Sequence, residues 1–151
     1  MKLRATSCLL ALALLLVPRA ASAMSCTILS VPALAFGNYN VFSAAPLDTS
    51  TLISFHCDNV GASTITIGLS RGSSLLFAPR TLTLGAFVLT YNVYRDASHT
   101  SVWGDDVTSW LGPLTPLDGV DDSRTVFGRI EPGQNAHAGS YTDTLIVTVT
   151  F

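Results

Sequence analysis

Cys26 and Cys57 are the side chains whose type and spacing most plainly allow a chemical step, because the third cysteine, Cys8, lies in an apolar run near the start of the chain. In an oxidising compartment, such a pair in a small exported domain reads as a disulfide, with two free thiols as the alternative. Closing a loop of about 31 residues stabilises a fold by roughly 3 to 4 kcal/mol in the chain-entropy view. The other reactive types are scattered. His56, His99 and His137 do not stand two or four positions from one another or from a cysteine outside that pair, so no zinc site is built. Asp105-Asp106 and Asp118-Gly119-Val120-Asp121-Asp122 could gather oxygens around calcium, but the D-x-[DN]-x-[DN]-G spacing is missing and they read as solvated loops. Ser, His and Asp occur without a G-x-S-x-G elbow, and Lys2 is the sole lysine. A P-loop or a Schiff-base lysine is therefore excluded from the body of the chain, which reads as a protein without catalytic residues, cofactor or metal. Tyr91, Tyr94 and Trp103 offer an aromatic binding patch or, as usual for aromatics on central strands, core.

Lys2 and Arg4, an apolar run from Cys8 to Val17 and the ending Ala21-Ser22-Ala23 form a secretory signal with an A-x-A cleavage site. That run is too short for a permanent membrane anchor. The expected division is residues 1–23 as signal and 24–151 as one domain, long enough for a sizeable core. Beyond the signal, five Arg face ten Asp and Glu, a net charge of −5. Such a surface repels phosphates, so nucleic acid is excluded as a partner and direct membrane insertion is not expected.

The residues that remain must be positioned by strands. Period-two alternation recurs, helical periodicity does not, and Ser and Thr supply 30 of the residues from Met24 onward. Strands are expected at Thr27 to Phe36, where Pro32 marks an edge or a bulge, at Thr51 to Cys57 and at Thr64 to Ser70. Arg71 to Ser74 reads as a turn. Further strands fall at Arg80 to Leu84, Phe87 to Asp96 (central, with both faces bulky), Ser101 to Gly104, Arg124 to Ile130 after an acidic loop at Asp118 to Asp122, and Tyr141 to Phe151. This pattern is an all-β, immunoglobulin-like β-sandwich. Tyr141 to Phe151 is the most regular strand, with Leu145, Val147, Val149 and Phe151 on one face. It is either covered by an earlier strand of the domain or open to a strand from another chain.

Several blocks follow one another in order: Cys26, Phe36-Gly37-Asn38-Tyr39, Cys57, Ile67-Gly68-Leu69-Ser70 with Arg71-Gly72, and Arg80. Then come Leu89-Thr90-Tyr91-Asn92-Val93-Tyr94-Arg95-Asp96, Trp103-Gly104 and the ending from Gly139-Ser140-Tyr141-Thr142-Asp143-Thr144 to Phe151. In this order they resemble the spore coat protein U domain, which is also the domain of archaic chaperone-usher pilus subunits. The resemblance implies a sandwich lacking its last strand, with an apolar groove that a periplasmic chaperone fills and that, at an outer-membrane usher, a neighbouring pilus subunit fills in its place. On this analogy Leu145, Val147, Val149 and Phe151 face the core beside the groove, the backbone from Tyr141 pairs with the donor, and the strand carrying Ile28 and Leu29 forms the other wall. The expected location is the periplasm in transit and then the cell surface. Cleavage after Ala23 leaves Met24 and Ser25 ahead of Cys26, too little for a donor strand, so the expectation is a chain that accepts a strand without lending one. Three functions stand open at this point. They are a pilus subunit serving adhesion or biofilm formation, a self-sufficient coat or matrix protein, and a carbohydrate-binding sandwich using Asp118 to Asp122 with Trp103 or Trp110.

Overall fold

A computed structural model describes residues 22–151, so the signal-peptide reading lies almost wholly outside the described residues. The described chain forms strands and turns, and no helix in it is long and apolar enough to cross a membrane. The strands are β1 (Ser25–Ser30), β2 (Leu47–Asp58), β3 (Ile65–Leu69), β4 (Arg80–Leu84), β5 (Phe87–Tyr94), β6 (Leu111–Leu114), β7 (Val120–Ile130) and β8 (Val147–Thr150). They build a five-stranded sheet, ordered β1-β2-β7-β5-β4, facing a three-stranded sheet, ordered β6-β3-β8.

Alternation explains the packing. Ile53, Phe55 and Cys57 on β2, Ile65, Ile67 and Leu69 on β3, Leu89, Tyr91 and Val93 on β5, and Val126 and Ile130 on β7 turn inward as one buried cluster with Trp103. Each such side chain withdrawn from water contributes on the order of 2 kcal/mol. The Trp103 indole N–H donates to the Ile67 carbonyl (2.8 Å), so its polar end is satisfied inside the core. Cys26 and Cys57 are disulfide-bonded across directly paired positions of β1 and β2.

The residues before β8 join the two sheets. Thr83 of β4 and Thr142 exchange both backbone hydrogen bonds (2.8 and 3.1 Å), and Ser70 N–H then donates to the Ile146 carbonyl (3.0 Å). From there β8 runs antiparallel to β3, with Leu69 opposite Val147 and Thr66 opposite Thr150. One continuous run is thus attached first to β4 and then to β3, while its other edge has no strand partner among the described residues.

Several expectations need correcting. The first strand stops at Ser30, where its register with β2 shifts between Ile28 and Ser30, and the chain then continues without pairing past Pro32. Ser101 to Gly104 is reduced to a single bridge between Val102 and Tyr94. The acidic stretch is not all loop, because β7 begins at Val120 and pairs Asp121 with His56 and Asp122 with Phe55. β6, hidden in the sequence by Gly112-Pro113, is an edge strand against β3. Only residues 147–150 of the expected last strand pair in a ladder.

Candidate functional site

A cleft of about 970 Å³ opens beside this free edge. One wall is the run from Gly139 to Leu145 with Val147, and the floor is Ile53, Leu69, Leu82, Leu89, Tyr91, Val126 and Ile130. Leu145, Val147 and Val149 pack against the buried cluster but remain half-exposed, so the inner face of this run is not covered as an interior strand would be. The second wall is residues 31–41, an unpaired segment. Its Leu34 and Phe36 lie against the backbone of Gly128, and the Phe36 ring meets Tyr91 edge-on at 5.7 Å. Thr49 Oγ1 donates to the Ala35 carbonyl at 2.8 Å. The Tyr39 hydroxyl donates to the Glu131 carbonyl and accepts from Gln134 N–H, closing the far end of the wall.

Of the groove residues expected from the sequence, Tyr141, Leu145 and Val147 line this cleft, and Val149 continues their face. Phe151 stands 59% exposed beyond it. Ile28 and Leu29 lie on β1, 38% and 50% exposed, and are not among the lining residues. The sequence reading does not reach Thr49 and Gly128, and it includes Leu34 only as part of the Thr27 to Phe36 strand expected as the other wall. The available signal was a glycine interrupting the apolar side of the strand pattern at Arg124 to Ile130.

A polar network fixes the cleft from below. Arg80 is fully buried and donates to the carbonyls of Leu69, Ser70, Phe77 and Trp103, tying the end of β3 to the start of β4. Burial lowers its pKa from the ordinary arginine value, yet a guanidinium keeps its charge and has enough donors for all four oxygens. Opposite Arg80 on β5, the Tyr91 hydroxyl donates to Asp143 Oδ2 (2.7 Å), and Ser73 and Thr144 N–H donate to Oδ1 (2.7 and 2.9 Å). A side chain at Gly72 would collide with the Asp143 carboxylate. Burial, then the Asp143 hydrogen bond, push the Tyr91 phenol far above the usual tyrosine range.

The remaining candidate residues have structural partners. His56 on β2 touches Asp121 Oδ1 (2.6 Å) and Asp58 Oδ1 (3.3 Å), and the Asp121 contact chiefly raises its pKa. His99, in a loop, is packed edge-on against Tyr94 at 5.1 Å, with Nε2 3.8 Å from Asp48, whose carboxylate is held bidentately by Arg129. His137 stacks on Phe87. Asp106 accepts from Thr108 and Ser109, whose hydroxyls lower its pKa to about 2. Asp118 accepts from Val60 N–H, and Asp122 pairs with Arg124. Trp103 is fully buried with Tyr91 and Tyr94, which leaves the three aromatics as core rather than a stacking platform.

The model of the Spore Coat Protein U domain matches residues 11–148. The chain belongs to the spore coat protein U domain family. It is similar to Protein U of Myxococcus xanthus, with 32% identity over 128 residues, 77% of this chain and 70% of that protein. Two solved structures share the fold. One is a chain of the CsuC–CsuE chaperone–tip adhesion subunit pre-assembly complex from the archaic chaperone-usher Csu pili of Acinetobacter baumannii (TM-score 0.57, 21% identity, 85% of this chain). This spore coat protein U domain spans 40% of that chain. The other is a chain of a chaperone-usher pilus (TM-score 0.59, 13% identity), with 83% of this chain and 86% of that one covered. The sandwich of this spore coat protein U domain is therefore the immunoglobulin-like fold of chaperone-usher pilus subunits.

Proposed function

We propose that this spore coat protein U domain is a structural, non-catalytic subunit of a surface pilus, assembled by the chaperone-usher route and serving adhesion or biofilm formation. The observation that carries the reading is an apolar-floored cleft running beside a strand edge that has no partner among the described residues. Strand addition would satisfy that edge's free N–H and C=O groups while inserting alternate side chains over Leu82, Leu89 and Tyr91. A periplasmic chaperone would lend the strand during transit after export, an outer-membrane usher would receive the complex, and a neighbouring subunit would supply the strand in the fibre. Leu145, Val147, Val149, Tyr141 and Phe151 on one side would meet it, and Ile28 and Leu29 would extend the opposite rim. The test is recovery of tagged protein from periplasm with and without the chaperone from its own locus. A stoichiometric complex, and a sharply reduced yield of soluble protein when the chaperone is missing, is the expected result. A cooperatively unfolding monomer indifferent to the chaperone overturns it.

A second reading, a self-sufficient coat or matrix protein, is favoured by the match to the Spore Coat Protein U domain. It predicts that stable monomer. A carbohydrate site using Trp103 loses its support, because that ring is enclosed.

A further inference from the structure

Gly128 sits in the interior of β7, paired on one side with Thr49 and on the other with Val93. Its neighbours Val126 and Ile130 point inward and are buried, so position 128 is where the floor of the cleft lacks a side chain. A glycine inside a central strand weakens it, and it persists where another part of the chain approaches closely. Here a Cβ would stand 2.6 Å from Leu34 Cδ2 and 2.8 Å from Phe36 Cζ. Ala35, between those two residues, accepts a hydrogen bond from Thr49, the residue opposite Gly128. Residues 34–36 thus straddle one rung of the sheet, gripped on one strand and admitted by the gap on the other. The segment makes no ladder bonds among the described residues, and apart from this seat it is held by the Phe36–Tyr91 contact and, at its far end, by the Tyr39 hydroxyl.

We infer that Gly128 is the positioning residue that seats residues 31–41 as the second wall of the cleft, and that uptake of an added strand depends on this seat. The inference rests on the strand-addition reading above. It predicts that the cleft is gated by fit at Gly128 as well as by the open edge of β8.

The probe is a fluorescein-labelled synthetic peptide in which apolar residues alternate with Thr and Asn, ended by arginines for solubility. Binding is read by anisotropy alongside limited proteolysis. Gly128→Val keeps a good strand former in β7 but fills the seat, and is expected to weaken binding by about tenfold or more, with faster cleavage confined to 31–41. Leu34→Ala/Gly128→Val removes as many carbons as it adds and is expected to recover binding to within about threefold of wild type. Phe36→Ala, which leaves Gly128 intact, is expected to weaken binding without a large change in thermal midpoint. Unchanged binding by a folded Gly128→Val overturns the inference while leaving strand addition standing. If Gly128→Val does not fold, unchanged binding by Phe36→Ala overturns it in the same way. Failure of the wild type to bind overturns strand addition itself.

Discussion

The Tyr91 hydroxyl donates to Asp143 across the floor of the cleft at 2.7 Å, joining the middle of β5 to the run that leads into β8. Both residues belong to the sequence blocks that marked the family, and their bond fixes the run that carries the open edge. Tyr91→Phe should cost about 1 to 2 kcal/mol, and Asp143→Ala about 2 to 3 because it also releases Ser73 N–H and leaves a buried phenol without an acceptor. Urea denaturation with an unchanged slope is the check. In alkaline spectrophotometric titration of the folded protein, Tyr91 should resist ionisation, as its raised pKa requires, and Tyr91→Phe identifies its share of the signal.

Arg80 makes a sharper prediction. Arg80→Met preserves the length of the side chain but strips donors from the carbonyls of Leu69, Ser70, Phe77 and Trp103. The expected loss is about 3 kcal/mol or more, seen as low periplasmic yield and an early unfolding midpoint. Arg80→Lys should rescue only part, because one ammonium cannot reach all four oxygens of a planar fork's site.

Breaking Cys26–Cys57, by reduction or by replacing both with Ala, should lower stability by about 3 to 4 kcal/mol. The measurement is the denaturant midpoint with and without reductant. An unchanged midpoint would show that β1 is held without its crosslink.

The acid side carries two opposed effects. His56 gains Asp121 and Asp58 on folding, so its folded pKa is raised. Its contribution is fully present below about pH 6.5 and is lost as pH rises through the folded value. His56→Gln should therefore lower stability below about pH 6.5 and leave alkaline stability untouched. Asp106 runs the other way, since its pKa is lowered to about 2. Its contribution is present above the ordinary carboxylate range and is lost as pH falls toward that value. Thermal midpoints of His56→Gln and Asp106→Ala across the acid range separate the two.

Where alternation and turn chemistry agreed, the sequence located the elements closely. Arg80–Leu84 was found to the residue, and the disulfide and the enclosed aromatics followed from composition and period. Leu47 to Ser50 was missed because Asp48 and Ser50 look like loop until Arg129 and the other half of β7 are seen opposite. Asp121 and Asp122 look solvated for the same reason, since a strand's outward carboxylates are indistinguishable from a loop's until β2 supplies His56 opposite Asp121, and Asp122 finds Arg124 two positions along β7 itself. The cleft's second wall was harder to read. Residues 31–41 have no periodic signature, and their placement depends on the absence of a side chain nearly a hundred positions away, at Gly128.

The stitching of residues 142–150 to β4 and then β3 also bears on how the protein would carry a mechanical load. Tension entering along that run pulls parallel to the strands, so the Thr83–Thr142 pair and the rungs from Leu69–Val147 to Thr66–Thr150 must give way together in shear rather than open one at a time like a zipper. A strand added on the free edge would share that load on its other side. Rupture force would then be set by the length of the shared ladder, and the cleft would be a grip that resists tension as well as a site of attachment.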